Sequence, residues 1–281
     1  MKIGKYNISL IQTGTFGLDG GAMFGIIPKP LWGKTNPADD KNRITLKVQC
    51  LLLQSDNKVI LVDTGMGSYW DEKFTKIYNV DQSNDALVSS LKKNNLSPSD
   101  ITDVILTHLH FDHTGGSVIL ENEKWVPAFP RAKYHVQKDQ FEWAKNPTQK
   151  DRGSFIKERF IPLAEEGILH FINGQANFDD EIEFHPLNGH TIAMQALKIS
   201  DASNTLFYCA DLIPTSSHVP IPYVMGYDVQ PLETVKEKNI FLPQAVEEDW
   251  TLIFEHDPFI AGAKVIKTER GFALGEKFKE I

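Results

Sequence analysis

The sequence predicts a mixed α and β protein in which reactive loops gather at one edge of a sandwich of sheets. Three observations lead to this prediction. Strand-like segments dominate both ends of the chain, no convincing linker interrupts it, and three groups of reactive residues each follow an apolar strand. Because these groups lie more than a hundred residues apart overall, a shared sheet edge would bring them together. We therefore expect a single domain over residues 1–281.

The first half of the chain contains two long apolar runs that read as strands, residues 44–53 and 59–62. The segment Ser55-Asp56-Asn57-Lys58 is the expected turn between them. The leucine spacing over residues 85–95 favours an amphipathic helix. A short β-branched strand, residues 101–106, follows this helix and leads into the reactive segment.

The second half alternates strand and helix signals, with several short strands between residues 168 and 208. Its other expected elements are a strand at 133–137, helices at 138–145, 155–166 and 231–246, and strands at 250–254 and 271–278.

The segment THLHFDHTGG, residues 107–116, carries four potential metal ligands: His108, His110, Asp112 and His113. Imidazole together with carboxylate suits zinc or a similar first-row divalent metal. Two residues apart on an extended segment, the first two histidines point the same way. Four ligands are too many for one catalytic ion that keeps an open position, so we expect two ions, each completed from elsewhere.

Three downstream residues are the expected completing ligands. His190 follows a turn in NGH, Asp211 ends the apolar run in CAD, and His256 ends another in EHD. Two divalent ions carry four positive charges, which two aspartates and a bridging hydroxide only partly cancel. Metal coordination lowers the pKa of water from 15.7 to about 7, so a hydroxide would be available to attack a carbonyl or phosphoryl centre. Asp112 is the candidate for moving a proton to the leaving group.

The HxHxDH motif with a later His, Asp and His resembles the metallo-β-lactamase superfamily across nearly the whole chain. Within it, the pattern is similar to the quorum-quenching N-acyl-homoserine lactonases and to the methyl parathion hydrolase branch. The segment LDGGAMFGIIPKPLW, residues 18–32, resembles an N-terminal segment of such lactonases. The resemblance implies an α+β fold, a four-layer αββα sandwich with the metals at one edge, and a homodimer.

The resemblance also implies how the ligands divide between two metals. One metal would be held by His108, His110 and His190, and the other by Asp112, His113 and His256, with Asp211 bridging them. Asp63, in VDTG, would support a ligating imidazole without binding metal itself. Zinc is the default ion, although manganese, iron or cobalt accept the same ligands.

An apolar wall for the substrate is expected from two segments. The candidate pocket residues are Met23, Phe24, Trp32, His218, Tyr223 and Tyr227. One feature departs from the lactonases that the chain resembles, which carry a tyrosine three residues after the bridging aspartate, where this chain has Pro214. Tyr223 and Tyr227 are the candidates to replace that hydroxyl.

Hydrolysis of cyclic esters, with N-acyl-homoserine lactones as the leading class, is the first functional hypothesis. The alternative is hydrolysis of phosphotriesters or aryl esters by the same centre. A remote alternative is a non-catalytic metal-binding or lactone-sensing protein. Structural zinc sites are usually closed by four protein ligands, often including cysteine, and neither Cys50 nor Cys209 joins the motif.

The composition argues against a nucleic-acid or membrane partner. A net charge of −8 disfavours a nucleic-acid partner, whose phosphates attract basic surfaces. No stretch approaches the ~18 apolar residues of a membrane span. Residues 1–10 alternate apolar and polar side chains and lack the apolar block of a signal peptide. We expect a soluble cytoplasmic protein with two reduced, buried cysteines.

Overall fold

Two seven-stranded sheets, a two-stranded sheet and eight α-helices are found in the described residues, 1–81 and 86–281, of a computed structural model. These residues divide into two compact units. The first unit comprises residues 1–15 and 48–174, and the second comprises residues 16–47 and 175–281. The single domain expected over residues 1–281 stays a prediction.

The strands, in chain order, are β1 (Lys2–Ile3), β2 (Tyr6–Asp19), β3 (Arg43–Gln54), β4 (Val59–Val62), β5 (Asp103–Ile105), β6 (Val118–Glu121), β7 (Lys124–Pro127), β8 (Lys133–Gln137), β9 (Leu169–Ile172), β10 (Ala176–Asn177), β11 (Ile182–Leu187), β12 (Met194–Ser200), β13 (Thr205–Tyr208), β14 (Thr251–Ile253), β15 (Gly262–Thr268) and β16 (Gly271–Phe278). The helices are α1 (Gly20–Phe24), α2 (Lys29–Trp32), α3 (Glu72–Tyr78), α4 (Ala86–Lys93), α5 (Phe111–Thr114), α6 (Lys138–Lys145), α7 (Ile161–Glu165) and α8 (Pro231–Glu247).

The sheet of the first unit has the strand order β1-β2-β3-β4-β5-β8-β9. Strands β4, β5, β8 and β9 are parallel neighbours, so their carboxyl ends meet at one edge. All three residues of β5 are buried, as expected for a strand in the middle of a parallel sheet. The reactive segment follows β5 and therefore begins at this edge.

The sheet of the second unit has the order β10-β11-β12-β13-β14-β15-β16. Strands β11, β12 and β13 are antiparallel in turn, and β14 is parallel to β13. Strands β11, β13 and β14 therefore run in the same direction. Their carboxyl ends lead to His190, Asp211 and His256, so the topology places all three residues at one edge.

Most predicted elements are confirmed, including the strands at 59–62 and 133–137 and the helix at 138–145. The helix predicted over 85–95 spans Ala86–Lys93, and Asp85 lies outside the described residues. Both cysteines are free and buried, as expected. Among the helices of the described residues, none combines the length and the apolar character needed to cross a bilayer.

The helix predicted over residues 155–166 is wrong in its extent. The structure has a single 3₁₀ turn, Lys157–Arg159, and a separate short helix, α7. Phe160 between them has φ −137° and ψ −25°, which are not helical angles. Pro162 explains the break: inside a continuous helix its ring would clash with the preceding turn, whereas the first turn of a new helix accepts it.

Candidate functional site

In the first unit, the reactive segment turns sharply after β5 and continues into the short helix α5. His110 is the N-cap of α5, and its carbonyl accepts the amides of His113 and Thr114. This turn brings neighbouring donors together: His108 Nε2 lies 3.0 Å from His110 Nδ1, and His113 Nε2 lies 3.8 Å from Asp112 Oδ2. All four side chains are buried, which would be costly without a partner for each donor atom.

Asp63 fixes this segment from the end of β4. Its carboxylate accepts the amide and the hydroxyl of Thr107, each at 2.7 Å, and lies 3.1 Å from His113 Nδ1. Asp63 has φ 57°, in the left-handed region that Asp and Asn tolerate better than most residues. Asp63 thus contacts the imidazole of His113, and its predicted role in supporting a metal ligand stays a prediction.

The two glycines that end the motif are required by close backbone contacts. A Cβ at Gly115 would lie 1.9 Å from the carbonyl oxygen of Met66, and one at Gly116 would lie 2.3 Å from that of Thr64. The Thr64 amide also donates to the carbonyl of His113. The segment after β4 thus packs directly on the turn that carries the ligands.

In the second unit, Asp211 lies between two imidazoles. Its Oδ2 is 3.1 Å from His190 Nε2, and its Oδ1 is 3.2 Å from His256 Nε2. All three side chains are buried. Ala210, which precedes the carboxylate, has φ 46° and so turns the chain sharply after β13. One carboxylate serving two imidazoles is the arrangement expected of a bridging ligand.

The other ring nitrogen of each histidine in the second unit has its own acceptor. His190 Nδ1 lies 2.9 Å from Asp228 Oδ1, and Thr234 donates its hydroxyl to the other oxygen of Asp228. His256 Nδ1 lies 2.8 Å from the carbonyl oxygen of Lys47. Burial would lower the pKa of His190, but the carboxylates of Asp211 and Asp228 outweigh it and raise the pKa to about 9.

These contacts assign which nitrogen would face a metal. His113, His190 and His256 each direct Nδ1 to an oxygen acceptor, so Nε2 is the nitrogen that would bind an ion in place of any proton it carries. Ligands with bonds of 2.0–2.2 Å around a tetrahedral zinc lie about 3.4 Å apart. The spacings within each unit, 3.0 Å to 3.8 Å, therefore fit the donor atoms of a zinc-like ion.

In the second unit, four of the candidate pocket residues form a packed aromatic group, and their role as a substrate wall stays a prediction. Phe24 stacks on Trp32 at 5.4 Å and on His218 at 4.6 Å, and the edge of Tyr223 lies 6.2 Å away. Met23 is buried beside them, and its carbonyl oxygen lies 2.8 Å from His218 Nε2. Burial lowers the pKa of His218 to about 4, so this imidazole is neutral near pH 7. Tyr223 and the nearby Tyr227 are half-buried.

Sequence reasoning missed several residues that support these side chains. Asp228 and Thr234 orient His190, and Thr107 connects Asp63 to the motif. No pattern could have revealed Asp228, since it lies in an irregular segment far from His190 in the chain. Nothing in the sequence indicated that Tyr78 lies near Asp112. Burial, and then the charge of Asp112, raise the pKa of the Tyr78 hydroxyl.

Comparison with known proteins identifies the family. Residues 44–256 match the family model of the metallo-β-lactamase superfamily. The N-acyl homoserine lactonase AttM of Rhizobium radiobacter is 27% identical over 179 residues, which is 61% of this chain and 64% of the relative. The alignment therefore spans slightly less than two thirds of the length of that lactonase.

Two solved structures have the same fold. A probable metal-dependent hydrolase from Staphylococcus aureus superimposes with a TM-score of 0.90 at 26% identity, covering 99% of this chain and 98% of that one. AidC, a dizinc quorum-quenching lactonase solved with its product, gives a TM-score of 0.81 at 23% identity, covering 98% and 96%. The predicted metallo-β-lactamase fold, of class α+β, is confirmed, and the chain belongs to the metallo-β-lactamase superfamily.

Proposed function

We propose that the protein is a metal-dependent hydrolase that opens cyclic esters, with N-acyl-homoserine lactones as its substrate class. The observation that carries the proposal is the set of seven buried donors at the positions of the family motif, with their support from Asp63 and Asp228. The hydrolase activity is also supported by the S. aureus structure of the same fold, which is described as a probable metal-dependent hydrolase. The lactone is supported by the names of AttM and AidC.

We propose two divalent ions, zinc by default, with the ligands divided as the resemblance implies. One ion would take His108, His110 and His190, and the other Asp112, His113 and His256, with Asp211 bridging. When bound, such ions supply Lewis acidity and a water whose pKa is about 7. The donor spacings within each unit support this proposal.

The side chains of the protein would do the remaining work. Asp63 and Asp228 hold His113 and His190 in the tautomer that presents Nε2. Asp112, at the start of α5, is the proposed group that moves a proton to the leaving alcohol. The aromatic group around Phe24 would exclude water and pack on the acyl chain.

Metal analysis combined with a substrate panel tests the proposal. The chain is loaded with zinc, its metal content is measured, and turnover is compared for an N-acyl-homoserine lactone, an aryl ester and an aryl phosphotriester. We expect about two ions per chain and the highest kcat/KM on the lactone. An Asp112→Asn variant that keeps its metal should lose turnover, whereas full activity in that variant would remove Asp112 from the mechanism.

Three results would contradict the proposal. One ion per chain under saturating zinc would exclude the dinuclear centre. Preference for the phosphotriester over the lactone would assign the alternative substrate class, and no turnover of any ester would favour a binding protein. The cytoplasmic location and the homodimer also remain proposals, and light scattering on the purified chain tests the second.

A further inference from the structure

Helix α8 presents a fully buried lysine to the segment that carries part of the aromatic wall. Lys238 has no exposed surface, and its ammonium group, with three N–H donors, lies within hydrogen-bond distance of four backbone carbonyl oxygens of residues 218–223, so two of these oxygens share one donor. The acceptors are the carbonyl oxygens of His218 at 2.6 Å, Pro220 at 2.7 Å, Tyr223 at 3.1 Å and Ile221 at 3.3 Å. We call residues 218–223 the wall segment.

Burial of this ammonium group carries a desolvation free energy. Taking an ammonium group out of water costs several kcal/mol, and an apolar side chain of similar length would fill the same space without that cost. A methionine, however, could not hold four carbonyl oxygens around one point, because it has no N–H to donate. A fixed conformation of the wall segment is therefore what the ammonium group can add and an apolar side chain cannot.

The wall segment bears the side chains that shape the expected pocket. The His218 ring stacks on Phe24 at 4.6 Å, and the Tyr223 ring meets Phe24 edge-on at 6.2 Å. Val219, Pro220 and Tyr223 also line a cleft of about 410 Å³ in the same unit. Movement of the backbone carbonyls held by Lys238 would therefore move both the aromatic wall and the cleft.

We propose that Lys238 is a positioning residue that fixes the wall segment and, through it, the selectivity of the enzyme for the apolar part of its substrate. The selectivity half of the inference rests on the proposed lactonase function. The structural half, in which Lys238 holds residues 218–223 in place, does not depend on that function and is tested separately by hydrogen exchange.

The test compares Lys238→Met with Lys236→Met, two residues away on the same helix. Lys236 is exposed and pairs with Glu233 on the same helix, so its variant controls for the loss of a lysine from α8. Hydrogen exchange is measured on the zinc-loaded proteins for peptides covering residues 216–227. We expect exchange there to speed up about tenfold or more in Lys238→Met, with no change in β12 or β13 and none in the control.

The second readout is the ratio of kcat/KM for a decanoyl and a butanoyl homoserine lactone. We expect Lys238→Met to lower this ratio about tenfold, mainly through a higher KM for the decanoyl substrate, while Lys236→Met keeps the wild-type ratio. A residue that only stabilises the fold would change both lactones by the same factor. That equal change, or unaltered exchange in residues 216–227, would overturn the inference.

If Lys238→Met does not fold, Lys238→Gln replaces it. Its two N–H donors, on a shorter side chain, cannot serve all four carbonyl oxygens, so we still expect faster exchange in residues 216–227 and a lowered substrate ratio. A wild-type substrate ratio in Lys238→Gln together with wild-type exchange would equally overturn the inference. Failure of the wild type to turn over any lactone would refute the proposed function and the selectivity half together. Faster exchange in the variant would still establish the hold of Lys238 on the wall segment.

Discussion

The candidate ligands of the two units are built in different ways. In the first unit, four ligands lie between residues 108 and 113, and one turn from β5 into α5 groups them. In the second unit, three ligands extend from residue 190 to residue 256, and each follows a different strand. The first set depends on local backbone geometry, whereas the second depends on strands β11, β13 and β14 running in the same direction.

The supporting contacts differ in the same way. In the first unit, the single carboxylate of Asp63 serves both Thr107 and His113. In the second, His190 and His256 have separate acceptors, Asp228 and the carbonyl of Lys47. In the first unit one carboxylate thus orients neighbouring residues of a single turn, whereas in the second unit each histidine has its own hydrogen-bond acceptor.

Removing one ligand from each unit gives the largest expected effect. We predict that His110→Ala and His256→Ala each lower kcat/KM by at least about a thousandfold, because each would remove a donor that keeps an ion in place. Metal content measured by mass spectrometry should fall from about two ions per chain to about one or fewer in either variant. If one of these two variants kept full activity while the other lost it, a single unit would provide the catalytic site.

Replacing the supporting carboxylates should give the next largest effect. We predict a loss of about 10- to 100-fold in zinc affinity for Asp63→Asn and for Asp228→Asn. The Asp63 variant should lose more, because its carboxylate also accepts both donors of Thr107. Asn tolerates the left-handed backbone conformation of residue 63, so backbone strain does not contribute to the difference between the two variants. Competition with a chromophoric zinc chelator measures both affinities, and equal losses would contradict the idea of a shared support.

This difference also explains what the sequence could and could not predict. HLHFDH is visible in the sequence because its ligands are neighbours in the chain, and Asp63 was found through the VDTG segment that follows a strand. His190, Asp211 and His256 are candidates because each lies just past an apolar strand. Asp228, Thr234 and Lys238 were not, since their partners are chosen by the packing of α8 and carry no periodic or local signal.

Two buried acids should give the units opposite responses to pH. Burial raises the pKa of Glu237 to about 7, even though the amides of Asn188 and Gly189 oppose the shift. The folded state then keeps a proton that the unfolded chain releases above pH 4.5, so stability falls as the pH rises from about 4.5 to 7. In the first unit, burial opposes ionisation of Asp103, but His135 and Lys58 hold its pKa well below the usual range. Its contribution is present above pH 4 and is lost in acid.

We therefore predict that Glu237→Gln removes the fall in stability between about pH 4.5 and 7. At pH 7.5 the variant should be more stable than the wild type by about 2 kcal/mol, since its amide oxygen can still accept the Asn188 amide. Thermal unfolding of the metal-free proteins across this pH range measures the difference. Asp103→Asn is the matched variant, and it should change the pH response only in acid; parallel curves for Glu237→Gln and wild type would contradict the assignment.

Among the residues that the structure describes, each unit buries one Lys or Arg side chain: Arg159 in the first unit and Lys238 in the second. The smallest predicted effect concerns Arg159. The Arg159 guanidinium lies 4.3 Å from the ring centre of Trp70 and 4.1 Å from that of Trp125. It also donates to the carbonyls of Ser68 and Gly115. Lysine keeps the charge but loses the planar stacking, so we predict that Arg159→Lys lowers the free energy of unfolding by about 1 kcal/mol. Urea denaturation measures this change. Gly115 directly follows the turn that carries the candidate ligands. If Arg159→Lys weakens the free energy of zinc binding by more than it lowers the free energy of unfolding, Arg159 also supports that turn. Its role would then resemble the one proposed for Lys238 and the wall segment.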